Sequence, residues 1–151
     1  MPSHFQNITT NSESETEAFA RALASHLQGG MVVSLEGDLG AGKTFLARAL
    51  ARQLGISEPI TSPTFVLQKL YAIPEHPSIH KLAHYDFYRI QHYDELMDMG
   101  FEDHDADTLV LCEWGDLFVS EFPCKPVRIR IEALSETTRQ ISVSGLSALL
   151  S

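Results

Sequence analysis

The stretch GDLGAGKT, Gly37 to Thr44, lies between the apolar run MVVSL at 31–35 and the segment FLARALARQL at 45–54. It either cradles a phosphate chain or simply reverses the backbone. The pattern G-x-x-x-x-G-K-[ST] is complete, carried by Gly37, Gly42, Lys43 and Thr44. At average residue frequencies, chance alone would produce it on the order of once in a few hundred chains of this length. The flanks supply the context that gives the pattern meaning. MVVSLEG is short, β-branched and almost continuously apolar, which predicts a strand buried on both faces. From Lys43 to Leu54, Leu46, Ala49, Leu50 and Leu54 recur at helical spacing, and Gly55 closes the run.

Each residue type in the turn has a physical task. Glycines let successive backbone N–H groups point inward where a Cβ would strike phosphate, and the following helix adds its positive N-terminal end. Lys43 is placed to bridge β- and γ-phosphates, and the Thr44 hydroxyl to meet Mg²⁺. Candidate nucleotide contacts thus run through Asp38, Leu39, Gly40, Ala41, Gly42, Lys43, Thr44 and Phe45. A plain strand-to-helix turn with a solvated lysine has no need of Gly-Lys-Thr at the helix start.

A phosphate cradle does not choose a reaction. A P-loop ATPase also needs an acidic residue ending a neighbouring buried strand and a group that orients the attacking water. Two strand-ending acids qualify, Asp86 in HYDFYR and Glu113 in LVLCEWG. Glu113 has the more apolar lead-in, and the carboxyl edge of a parallel sheet is where it would meet the loop. Asp86 could equally pair with Arg89 at the surface, and Trp114 is either a core aromatic or a wall of the pocket. Thr61, Ser62 and Thr64 surround Pro63, an arrangement open to a γ-phosphate sensor or an ordinary turn. His76, His80 and His84 are four apart, but Pro74 and Pro77 prevent one helical face from carrying the first two as metal ligands. His84 and Arg89, flanking Asp86, are better placed for supporting or partner-facing roles.

Around these motifs the pattern alternates helix and strand. SESETEAFARALASHLQ, 12–28, predicts a helix opened by an S-x-x-E capping box at Ser12 and Glu15, with Phe19, Ala22, Leu23 and Leu27 on its apolar face. Strands are expected at 65–72, 81–90 and 107–115, a proline-broken loop at 73–80 and a short helix at 93–100. VRIRIEAL and RQISVSGL alternate strictly around SETT, which predicts an antiparallel hairpin. The whole chain, 1–151, reads as one P-loop domain of α/β class, its mixed, mostly parallel central sheet flanked by helices and ended by that hairpin.

The chain has 151 residues and a formal net charge of -9, so it has no basic field with which to gather nucleic acid by counterion release. Two cysteines fall short of a disulfide framework or a four-ligand zinc site, and neither a leader nor a membrane span is expected. A soluble protein of a reducing cytoplasm is the expectation.

Taken together, EGDLGAGKT (36–44), TSPTF (61–65), HYDFYR (84–89), DEL with MGFED (94–103) and EWG (113–115) resemble, in order and spacing, the TsaE (YjeE) family. These are small bacterial P-loop ATPases of tRNA threonylcarbamoyladenosine (t6A) biosynthesis. The resemblance implies ATP and Mg²⁺ as cofactors, weak ATPase activity alone, and assembly with TsaB and TsaD partners that carry the tRNA. It further implies that Lys43 and Thr44 are phosphate and Mg²⁺ ligands, that Glu113 is the second Mg²⁺ ligand and that Asp86 is the acid required for hydrolysis. Thr61 and Thr64 then fall in a switch-like loop, Trp114 lies near the nucleotide, and the segment from Thr10 to Ser12 approaches the adenine. Two departures stand out: Gly115 where the family usually has proline or serine, which loosens the turn after Glu113, and a proline- and histidine-rich segment from Ala72 to Lys81. Rival readings are a small-molecule kinase, which normally adds an arginine-bearing lid, and a nucleotide-gated binding module with incidental hydrolysis. A GTPase switch is opposed by the absence of a guanine-selecting Asn-Lys-x-Asp.

Overall fold

The computed structural model describes residues 6–38, 40–61 and 68–146. The chain runs β1 (Gln6–Thr10), α1 (Glu13–Ala24), β2 (Val32–Glu36), α2 (Lys43–Gln53), β3 (Gln68–Ala72), β4 (Lys81–Asp86), α3 (Tyr93–Asp98), β5 (Thr108–Glu113), β6 (Val127–Ala133) and β7 (Arg139–Ser144), with two 3-10 turns at Gly115–Leu117 and Val119–Glu121. All seven strands join one sheet in the order β1-β7-β6-β2-β5-β4-β3. The central pairings β6–β2, β2–β5 and β5–β4 are parallel, and antiparallel pairs close both edges. This is the mixed α/β sheet with a parallel core that the sequence predicts, and β6–β7 is the expected hairpin.

Each face of the sheet is covered differently. Helices α1 and α2 press Phe19, Leu23, Leu46 and Leu50 onto Val33, Leu35, Leu111, Ile129 and Val143. The opposite face carries an aromatic layer of Tyr85, Phe87, Phe101 and Phe118, with Leu96 of α3. Its rings meet edge to face, Tyr85 with Phe101 at 5.2 Å and Phe87 with Phe101 at 5.4 Å between centroids, the arrangement favoured by aromatic quadrupoles.

Local chemistry sets the element ends. Ser12 caps α1 by accepting from the Glu15 N–H at 3.1 Å. The helix stops at Ala24, short of the expected Gln28, and Ala20 rather than Ala22 is buried. Strand β4 ends at Asp86, not Ile90. There the Asp86 carboxylate accepts from the Tyr88 N–H two residues on, at 3.0 Å, and turns the chain away from the ladder. Strand β4 is buried on both faces despite an alternating sequence, with Leu82 in the helix-covered core and Ala83 and Tyr85 in the aromatic layer. Strand β1 lies outside the elements that the sequence pattern predicts. Its main apolar side chain is Ile8, and its pairing with β7 spans most of the chain. Of the segment expected as a strand at 65–72, residues 65–67 lie outside the described residues. The 73–80 segment is a loop, anchored by buried Ile73 and Ile79.

One buried charge lies at the base of the phosphate-loop motif. Glu36 ends β2 at 2% exposure. Arg128 of β6 grips it with both arms, Nε to Oε2 at 2.7 Å and a terminal nitrogen to Oε1 at 2.9 Å. Arg130 and the Ser34 hydroxyl add bonds at 3.3 and 3.1 Å. Removing one partner of such a group leaves charge in low dielectric. Arg128→Ala should therefore lower unfolding free energy by about 2 kcal/mol in urea denaturation, and Arg128→Lys, which keeps charge but not the fork, by less.

Burial also pushes the Cys112 thiol far above its ordinary pKa, whereas Cys124 is exposed. A native-state thiol titration with a disulfide reagent at pH 8 should label Cys124 quickly and Cys112 only after unfolding.

Candidate functional site

The carboxyl ends of three adjacent parallel strands converge on one edge. Strand β2 delivers the glycine turn, β5 delivers Glu113 and Trp114, and β4 delivers Asp86. Register places Leu35 opposite Glu113 and Asp86 opposite Glu113, so both acids stand level with the start of the turn. A crevice outside the carboxyl ends of a parallel sheet is where α/β folds bind ligands.

Within the turn, Gly37, Gly40 and Gly42 have φ of 144°, 81° and 109°, a backbone region that side chains disfavour. A Cβ at Gly37 would also strike the Ile131 carbonyl. The Ala41 N–H bonds the Asp38 carbonyl at 3.1 Å, and Gly42 caps α2. Asp38 and Gly40 are exposed, Ala41 is buried, and Thr44 and Phe45 are half-buried. Leu39 and Thr64, the remaining candidate contacts in this region, lie outside the described residues. Thr61, expected in the switch-like loop, is exposed and lines a cavity of about 360 Å³ with Arg48 and Arg52.

Lys43 opens α2 at 7% exposure. Its ammonium donates to the Gly37 carbonyl at 2.6 Å and sits 3.7 Å from the centroid of the Trp114 ring. Burial pulls its pKa below the ordinary lysine value, while Glu113, Asp116, Asp86 and Asp38 pull it back up. Four carboxylates thus act on one cation through their charge. Trp114 takes the left-handed conformation, φ 62°, and its ring also packs on Tyr88 at 5.0 Å. Trp114 is half-buried, and its ring covers the lysine.

Glu113 is buried, and His84 approaches it with Nε2 2.8 Å from Oε2. The three histidines serve separate tasks. His76 Nδ1 accepts from the Ser78 and Ile79 N–H groups, His80 meets Asp107, and His84 meets Glu113. Among the described residues no group of three or more His, Cys, Asp or Glu gathers as a metal cage. The donor set at the edge still suits magnesium, which favours hard oxygen and usually takes only one or two carboxylates from protein. Thr44, Glu113 and Asp86 are such donors.

On the other side of the turn lies a cavity of about 330 Å³, bounded by Ala41, Gly42 and Phe45 together with Ser12, Thr16, Ile131, Arg139 and Ile141. Ser12 belongs to the segment singled out in the sequence as approaching adenine. Arg139 was missed. From β7 its Nε donates to the Ala41 carbonyl at 2.9 Å, and another nitrogen holds the Ser135 carbonyl at 2.8 Å, tying the hairpin loop to the glycine turn. Nothing in its local sequence separates it from any strand-start arginine.

The profile described as "Threonylcarbamoyl adenosine biosynthesis protein TsaE" matches residues 10–141. The chain belongs to the TsaE family. Relatives bearing the name "tRNA threonylcarbamoyladenosine biosynthesis protein TsaE" include those of Rickettsia typhi, 35% identical over 89% of this chain and 92% of the relative, and Streptomyces coelicolor, 38% identical over 83% and 87%. The Bacillus subtilis relative is 34% identical over 91% of this chain and 84% of its own. The crystal structure of Bacillus subtilis YdiB superposes with a TM-score of 0.72 at 28% identity, covering 97% of this chain and 89% of that one. Family and fold agree with the resemblance drawn from the motifs, and membership places the chain among proteins of t6A biosynthesis.

The departure at Gly115 acquires a physical cause in this TsaE chain. Far from loosening the turn, Gly115 is buried, and a Cβ there would run into the Ser34 hydroxyl, with Ser34 Cβ at 2.9 Å and Cys112 Sγ at 3.1 Å. The glycine is needed for room. Gly115→Ala should cost about 1–3 kcal/mol through overpacking, read as a lower Tm than wild type.

Proposed function

We propose that the chain is a Mg²⁺-dependent ATPase, a single P-loop domain over residues 1–151, weak alone and working in the cytoplasm with TsaB and TsaD homologues to sustain repeated rounds of t6A modification. The observation that carries this reading is the buried Lys43 ammonium, bonded to the glycine turn and within the electrostatic pull of Glu113 and Asp86. A solvated lysine on a plain turn would not be desolvated among acids. The nucleoside would occupy the cavity beside Ala41 and Phe45, and its phosphates would follow the turn from Asp38 to Thr44.

In the assignment offered here, Lys43 leaves the Gly37 carbonyl and bonds the β- and γ-phosphates, while backbone N–H groups of the turn hold the remaining oxygens. Thr44 and Glu113 hold Mg²⁺, which when bound neutralises charge on the phosphates. Asp86 accepts a hydrogen bond from water and orients it for in-line attack. Thr64 and Trp114 complete the nucleotide contacts in this reading. Net charge of -9 supports tRNA contact through partners rather than through this chain. No helix among the described residues is long and apolar enough to cross a membrane.

Lys43→Ala should weaken ATP binding on the order of a hundredfold in calorimetry, as expected for losing a charged hydrogen bond to phosphate. Wild-type turnover in that variant would reject the assignment. Asp86→Asn should keep ATP affinity while phosphate release falls about a hundredfold or more. With TsaB and TsaD present, that variant should block repeated product formation; undiminished product would instead favour a binding module whose hydrolysis is incidental. A phosphorylated metabolite accumulating from ATP would favour the kinase.

A further inference from the structure

His84 sits in the middle of β4 at 1% exposure. It is opposite Leu111 and Lys69 in the two flanking strands. Its imidazole does not pair directly across the sheet. It reaches along β5 to the carboxylate two positions further on, Nε2 to Glu113 Oε2 at 2.8 Å. Both side chains are almost sealed from solvent, at 1% and 5% exposure. The other ring nitrogen, Nδ1, is buried with no hydrogen-bond partner among the described residues.

A buried polar side chain left half-satisfied is costly, and an apolar residue would fill a central strand more cheaply. The pairing with a carboxylate oxygen favours a proton on Nε2. With hydrogen on Nε2, the ring donates to the carboxylate and leaves a bare acceptor at Nδ1. With hydrogen on Nδ1 alone, a buried N–H would be stranded and the Nε2 lone pair would face a carboxylate oxygen. Only the first arrangement lets His84 donate to Glu113.

We infer that His84 is a positioning residue for Glu113. Its Nε2–H pins Oε2 and so fixes the plane in which the carboxylate is presented at the sheet edge. This rests on the assignment of Glu113 as a magnesium ligand. Groups that hydrogen-bond a metal-ligating carboxylate tune metal affinity by ten- to a hundredfold when removed. The sequence marked His84 through its neighbour Asp86, yet its hydrogen-bond partner is the acid on the next strand.

The test uses the full chain and Mg²⁺ itself. Titrating Mg²⁺ calorimetrically into ADP-saturated protein, and ADP into protein in EDTA, separates the metal from the nucleotide. Wild type should bind Mg²⁺. His84→Met, similar in size and without a donor, should bind it ten- to a hundredfold more weakly while its EDTA affinity for ADP stays within about twofold. His84→Gln, whose amide N–H₂ can still donate, should remain within about threefold of wild type. Unchanged Mg²⁺ affinity in the Met variant, or a Gln variant as impaired as Met, would overturn the inference and leave the ATPase reading intact. A wild-type protein indifferent to Mg²⁺ would overturn both. A measurement on wild type alone guards against a Met variant that does not fold. Imidazole ¹H–¹⁵N correlation spectra should place the His84 proton on Nε2 and show that resonance moving when Mg²⁺ joins ADP. A proton on Nδ1 alone, or a resonance unmoved by Mg²⁺, would reject the role.

Discussion

The whole arrangement turns on holding one ammonium group out of water at the edge of a parallel sheet. Lys43 is buried by its own loop, by the Trp114 ring and by the start of α2, and that desolvation is offset by carboxylates from strands far apart in sequence. Burying a charge is tolerable only when compensation is close. The sheet supplies the closeness: β2, β5 and β4 are adjacent and parallel, so their last residues arrive together without any loop having to reach.

The same logic governs the layer beneath the loop. Glu36 is clamped by Arg128 of β6, and Gly115 fits against Ser34 of β2, so the strand leading into the glycine turn is fixed from both neighbours. Arg139 adds a third restraint from β7 by holding the Ala41 carbonyl. A loop whose backbone N–H groups must point inward gains from such support, because preorganised donors do not have to reorient when an anion arrives.

The legible parts of the chain were those whose meaning is local. The glycine turn carries its signature within eight residues, β2 and β5 are continuous apolar runs, and the β6–β7 hairpin alternates around a short polar loop. What escaped was pairing at a distance. Strand β1 depends on β7, and its polar residues give little periodic signal. The bonds from Arg139 to Ala41 and from His84 to Glu113 are set by register between strands, which no window of neighbouring residues contains. Gly115 was misjudged for the same reason: its flexibility is visible in sequence, but the hydroxyl crowding it belongs to a strand 81 positions earlier, from 115 back to 34.

The chain contains a single tryptophan, and that tryptophan lies over the one lysine on which the phosphate-loop reading depends. An ammonium 3.7 Å from the ring centroid is attracted to the indole face and perturbs its electrons. Anything that draws Lys43 away changes the surroundings of the only indole present. Its fluorescence is therefore a built-in optical gauge of where that cation is, readable without a dye or a label.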